Sequence, residues 1–469
     1  MKNWVLGMFL VFATALTISL WVMENVAWAL FALFLWSFFW EGFKERKAQR
    51  ESQGPTSSGP TSSGPTSSGP TSAWSFWRSK FRSLALGSEQ DRFLVDKALW
   101  AFALVVTIGA FNNFESWSRS IDIFGHNRWV VLLYSHAYWL RRFFSAHLEQ
   151  RMFWPLFGAA VAGVYGLHQT FTGVNLLRGP DFFMGPMGNL WRAYGFFNLP
   201  LTYAYAIGML FFIALAYLIV AGKAHWRKGQ WGFGSDGLKT TVLMAALTVP
   251  VSFAAVFASG TRGAYLAVLG GLACLPFMMG RRWLLPSFVG MALVLGGLFV
   301  ALPDLRDRFV SIANVTTDKS NTGRFDIWRG HWAIFKDHYI VGSGLAYNNY
   351  LVKYYYEKLG IEDGVVSHAH NNYLQMLAGT GVLGFLAWSV FCLYFLWLAA
   401  HLWWKLDPAH LWWRSLALGI FLAQVFHHIG GLTEVNFTDS EVLHQLLLLW
   451  AVLVVIKSAP PDVHKAHQG

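Results

Sequence analysis

Twelve runs of mainly apolar residues, each close to the 17 to 25 residues that a helix needs to cross a bilayer, divide this chain at approximately 4–22, 25–40, 94–113, 124–140, 152–170, 197–221, 240–259, 263–279, 283–302, 373–400, 411–431 and 441–457. Nothing else in the sequence limits the fold so strongly, because a segment in lipid must satisfy its own backbone, and runs of this length do so as helices. Composition agrees: 55% of the 469 residues are hydrophobic and only 13% charged, too few to coat a water-soluble surface. The chain reads as an all-α polytopic membrane protein with about 12 transmembrane helices. A net charge of +11 would suggest nucleic acid if the basic residues formed one patch. They fall instead in short clusters between apolar runs, so no nucleic acid partner is expected. Cys274 and Cys392 both lie inside apolar stretches, which argues against a disulfide framework or a thiolate metal site.

The basic clusters set the orientation. Lys44, Arg46, Lys47, Arg50, Arg141, Arg142, Arg281 and Arg282 all lie in connections on one side, which the positive-inside rule makes cytoplasmic, with both termini. The first run lacks a small-residue cleavage site and a second follows at once, so it reads as a retained anchor. Five regions result: an N-terminal transmembrane hairpin (1–40), a cytoplasmic linker (41–92), a transmembrane bundle (93–302), a large outer loop (303–372) and C-terminal transmembrane helices (373–469). The linker holds three GPTSS repeats and a truncated fourth at 54–72, a stretch with nothing apolar to offset its ordering entropy, and it is expected to be disordered.

The outer loop is rich in Trp, Tyr, Gly and charge, and a loop of that length is usually functional. Within it Phe325, Trp328, Trp332 and Phe335 recur at helical spacing, with Thr322 placed to cap the helix. Aromatics on one face and Arg324, Arg329 and Lys336 elsewhere suit an amphipathic helix at the membrane surface.

Charged residues at a membrane boundary need a partner, a water path or a substrate. Arg262, in ASGTRGAYLAVLGG, Arg192, in NLWRAYGFFNLPLTYA, and Arg324 all fall on the outer side. Three guanidiniums there could hold a pyrophosphate through paired hydrogen bonds. Snorkelling to lipid phosphates, or pairing with Asp181, Asp326 or Asp337, explains any one of them equally well. His370 is the best placed proton acceptor for a sugar hydroxyl, with Asn371 and Asn372 beside it to hold hydroxyls or orient the ring. A hydrogen-bonded structural histidine is the plainer alternative. His368 and His370 form an HxH pair, yet no third ligand is evident, so no metal is expected.

GTRGAYLAVLGG, GRFDIWRGHW, GSGLAYNNY and HAHNNYLQMLAGTGVLGFLAW, in this order around one outer loop, resemble the O-antigen ligase family of bacterial envelope glycosyltransferases, which shares its core with O-antigen polymerases. The likeness covers about residues 190 to 390, and RAYGFFNLPLTYA is similar to the family's earlier arginine segment. It implies a type C glycosyltransferase-like fold in the inner membrane with a site facing the periplasm. The donor would be an undecaprenyl-pyrophosphate-linked glycan and the acceptor a lipid A-core sugar, with membrane lipids around them and no cofactor or metal. Arg262 and Arg324 would match the arginines that hold the pyrophosphate and His370 the catalytic histidine. Arg192, Asn371, Asn372, His368 and Arg329 are assigned to substrate binding. A polymerase would use the same donor with a carrier-linked acceptor, and a polysaccharide-lipid transporter is the rival from another class. The transporter would place its ionisable residues at mid-membrane, whereas here they crowd the outer boundary.

Overall fold

The computed structural model describes residues 2–16, 20–52, 73–91, 93–112, 117–144, 151–179, 182–222, 237–313, 319–362 and 364–458. The GPTSS stretch and Asp181 lie outside the described residues. The first half contains α1 (Lys2–Ala15), α2 (Leu20–Ser52), α3 (Ala73–Arg82), α4 (Leu94–Asn112), α5 (Trp117–Gly125), α6 (Arg128–Trp139), α7 (Phe153–Thr172) and α8 (Pro200–Tyr217). The second contains α9 (Gly237–Ala258), α10 (Arg262–Met279), α11 (Leu284–Ala301), α12 (Pro303–Val310), α13 (Lys319–Asp337), α14 (Asn348–Leu359), α15 (Asn372–Lys405), α16 (Leu411–Gly430) and α17 (Ser440–Lys457). The only strands among the described residues are Pro186–Met187 and Leu190–Trp191, paired antiparallel. Each of the twelve expected windows overlaps a helix among the described residues, though 4–22 runs past the end of α1 over residues 17–19, which lie outside the described residues, and 124–140 crosses the turn between α5 and α6; seven helices are long and apolar enough to cross a membrane by length and composition. The chain is an all-α polytopic membrane protein.

The bundle is organised around α8 and α17, buried along almost their whole lengths. A helix apolar on every side belongs in a protein core or in lipid, and these two lie inside the bundle. Accordingly α8 packs between α9 and α16, α17 lies against α6, α15 against α4, and α10 against α16. The outer loop folds into α12, α13 and α14. Helix α13 starts at Lys319, so Thr322 sits inside it and is not its cap; Lys319, Ser320 and Asn321 already take helical conformation. The side of α13 that faces protein carries Ile327, His331 and Ile334, packed with Val352, Tyr355 and Tyr356 of α14. Phe325 and Trp332 of the aromatic stripe stay 43% and 49% exposed.

Helix α15 is two helices joined at a break, where Gly381 has φ +62°. The turn after α13 is stitched into that break: Ser343 N–H donates to Ala378 O (3.0 Å), Gly344 N–H to Gly379 O (3.0 Å) and Val382 N–H to Tyr339 O (2.8 Å). Backbone meets backbone here. A Cβ at Gly342 would lie 2.3 Å from the Gly379 carbonyl carbon, and one at Gly381 would lie 2.4 Å from that of Ile340. Both glycines also have positive φ, which L side chains adopt at a cost. Gly342→Ala and Gly381→Ala are each expected to lower stability by about 3 to 5 kcal/mol, combining backbone strain and overpacking. Thermal melting in detergent checks this, with Gly290→Ala, at an open position, as the control that should not move.

Candidate active site at the foot of α15

His370 precedes the first turn of α15. Asn371 caps that helix, its Oδ1 accepting from the N–H groups of Tyr373 (2.9 Å) and Leu374 (3.1 Å). His370 itself has φ +45°, in the left-handed region, which costs a non-glycine residue about 1 to 3 kcal/mol. Three bonds hold the segment in place: Trp328 Nε1–H donates to Ala369 O (2.8 Å), Ala369 N–H to Gln375 Oε1 (2.9 Å), and His370 N–H to His368 Nδ1 (3.2 Å). The ring is thereby set with Nδ1 at 3.0 and 3.1 Å from the two carboxylate oxygens of Glu434.

Glu434 lies in the connection between α16 and α17 and is buried. Its Oε1 accepts from Val435 N–H (3.1 Å) and stands 3.6 Å from His368 Nε2, while the Arg324 guanidinium lies 3.9 Å from Oε2. Burial pushes this carboxyl up. The hydrogen bond from His370, with the charges of His370 and His368, outweighs burial and holds it below the ordinary carboxyl value of 4.5. For His368, burial lowers the imidazole below its ordinary value, opposed by Glu434 and aided by His370 and Arg324. A carboxyl depressed on folding stabilises the fold above its unfolded value, and that contribution is lost as pH falls through the lower folded value. The wild type should therefore melt progressively earlier as pH is taken below 4.5, and Glu434→Gln should flatten that part of the melting-temperature profile.

Beside this pair is a cavity of about 210 Å³ lined by Arg262, Arg324, Phe325, Trp328 and Thr433, among others. Arg262 opens α10 and donates through Nη1 to the backbone and hydroxyl oxygens of Ser311, both at 3.3 Å. The turn that carries it packs tightly on the Glu434 segment: a Cβ at Gly263 would fall 2.1 Å from Thr433 Oγ1. Four candidates thus come together, His368, His370, Arg262 and Arg324, with Asn371 at the edge.

The other candidates lie elsewhere. Arg192 donates from Nε to Ser259 O (2.8 Å) and from Nη2 to Thr261 Oγ1 (3.4 Å), bracing the turn that precedes Arg262. Arg308, which sequence reasoning passed over, braces the same turn through Gly260 O (3.1 Å). Asn372 is fully buried, its amide spent on Asn436 Oδ1 and its Oδ1 on Phe437 N–H. This places it inside the protein rather than at the cavity that Arg262 and Arg324 line. Arg329 pairs with Asp326 (3.3 Å) on the exposed side of α13. Asp337, another expected arginine partner, is instead bonded by Tyr355 OH (2.8 Å).

Glu434 is the main residue that sequence reasoning missed. The available signal was a lone acid in a short connection between two apolar runs, subject to the same demand for a partner that singled out the arginines. Its position also supplies the third ligand that the HxH pair lacked, since one ligand atom from each of His368, His370 and Glu434 lies within 4.8 Å of the others. Two imidazoles and a carboxylate suit zinc or iron. The Arg324 charge 3.9 Å from the same carboxylate opposes a dication there.

No curated protein matches the chain. Residues 247–389, which include Arg262, Arg324, His368, His370 and the break at Gly381, match the family model described as O-Antigen ligase.

Proposed function

We propose that the protein is a glycosyltransferase that moves a glycan from an undecaprenyl-pyrophosphate carrier to a sugar of lipid A core, at the periplasmic face of the bacterial inner membrane. The observation that carries this reading is the His370–Glu434 pair opening beside a cavity that holds Arg262 and Arg324. A carboxylate on Nδ1 fixes the neutral imidazole with its proton there and leaves Nε2 to accept another. Nε2 takes the proton of the acceptor hydroxyl while that oxygen attacks the anomeric carbon. The bond from this carbon to the pyrophosphate oxygen breaks, its electron pair leaves with the phosphate, and the centre inverts. Arg262 and Arg324 neutralise the charge that develops on the leaving group, which is largest in the transition state. Arg192 and Arg308 act on the turn that presents Arg262, and Asn372 ties α15 to the segment bearing Glu434. Residues 303–372 then form the periplasmic catalytic loop between the 93–302 bundle and the C-terminal helices, with α13 over the site.

The test is transfer by the purified full chain, supplied with carrier-linked glycan and lipid A core in excess EDTA. Glycan on lipid A core is the expected product. Elongation of the carrier-linked glycan would instead make the protein a polymerase. A need for added divalent ion would move the chemistry to the His368–His370–Glu434 triad as a metal site. Absence of any transfer, with or without ion, would overturn the enzymatic reading.

A further inference from the structure

A second and larger cavity, about 560 Å³, lies at the other end of the bundle between α2, α3, α4 and α6. Its walls are aromatic, from Phe34 and Phe38 of α2 to Trp100 and Tyr134, whose rings are stacked with centroids 6.0 Å apart. One wall is α3, AWSFWRSKFR, a ten-residue helix. Trp77 seats α3 on α2, so close that a Cβ at Gly42 would lie 2.6 Å from its ring, and Lys80 fastens it to Glu45 at 2.7 Å. Trp74, Arg78, Phe81 and Arg82, spaced i, i+4, i+7 and i+8, form the face that overlooks the cavity. Nothing in the described structure covers this face, and Trp74 is 74% exposed.

Its charge is left over as well. Arg82 reaches only an exposed Glu89 at 3.9 Å, and Arg78 has no carboxylate partner among the described residues. The one acid in the wall, Asp96, is already committed to the N–H groups of Leu86 and Gly87 and to Tyr134 OH, at 3.0, 2.8 and 2.7 Å. An apolar trough with two guanidiniums at its rim, on a helix whose aromatic and basic residues suit a membrane interface, is complementary to an anionic lipid. We propose that this cavity is a binding site for an anionic phospholipid, with acyl chain in the trough and headgroup phosphate at Arg78 and Arg82. The site is remote from His370, and the proposal stands independently of the function proposed above.

The test is native mass spectrometry of the full chain in neutral detergent, titrated with dioleoyl phosphatidylglycerol or dioleoyl phosphatidylcholine. The wild type should retain its first phosphatidylglycerol in preference to phosphatidylcholine. A basic residue at a membrane surface contributes about 1 kcal/mol, so Arg78→Gln and Arg82→Gln should each weaken phosphatidylglycerol about fivefold and together about 25-fold. The Arg78→Lys, Arg82→Lys pair should keep the preference, and Trp74→Ala should weaken both lipids alike. Equal retention of the two lipids by the wild type would overturn the proposal without any variant. So would an unchanged preference in the double Gln variant, or displacement of the lipid by glycerol 3-phosphate at equal concentration, which would make the site one for phosphate alone.

Discussion

Alanine at position 370 is expected to slow glycan transfer about 10³-fold, within the range of about 10²–10⁴ that a positioned general base supplies. Glu434→Gln keeps the size of the side chain but offers Nδ1 an amide N–H as readily as a carbonyl, so the ring loses its fixed tautomer. A loss of about 10²-fold in kcat is expected, with little change in KM for either lipid. The decisive measurement is the double variant. If the carboxylate acts only through the ring, His370→Ala with Glu434→Gln will be no slower than His370→Ala alone, the non-additivity of residues that act as a unit. Independent, multiplying losses would instead make Glu434 a residue that merely anchors its own loop through Val435.

The second large effect concerns the leaving group. Arg262→Lys and Arg324→Lys should each lower kcat by about 10²-fold, because an ammonium keeps the charge but not the fork that meets a phosphate with two bonds. Their effect on KM for the carrier-linked donor should be much smaller. A raised KM with kcat intact would make these arginines holders of the ground-state carrier and place the stabilisation of departing phosphate elsewhere. Arg192→Lys offers a useful contrast. Its guanidinium bonds Ser259 O and Thr261 Oγ1, outside the cavity, so its loss should act through the Arg262 turn and show first as reduced stability.

What could be read from the chain beforehand follows from how far each constraint reaches. The helices were legible because a bilayer imposes length and apolar content locally, and seven of the expected windows fall on helices long and apolar enough to cross one. Arg262 and Arg324 drew notice as charges at the ends of apolar runs, and they line one cavity; their roles, and that of His370, stand as proposed. Glu434 was not legible, since 64 residues separate it from His370 and only the return of α16 into α17 brings the two together. The inward turn of Asn372 was hidden for a related reason. Sequence places it next to Asn371, but the turn into the helix leaves one amide at the cap and sends the other inward to Asn436. The start of α13 also moved, because Lys319 to Asn321 continue the helix that Thr322 was expected to begin.

The stitching of α13 into the break in α15 bears, if the function is the one proposed, on how an activated donor would be kept from water. Tyr339, Ser343 and Gly344 are bonded to the helix that begins beside His370, and Trp328 holds the carbonyl of Ala369. A swing of α13 away from the bundle therefore pulls on the very residue that keeps the imidazole in its strained backbone. Under the proposed function, cover and base would be mechanically one part: an opening of α13 is expected to displace the imidazole from its carboxylate, so that water entering an open site would meet no competent base.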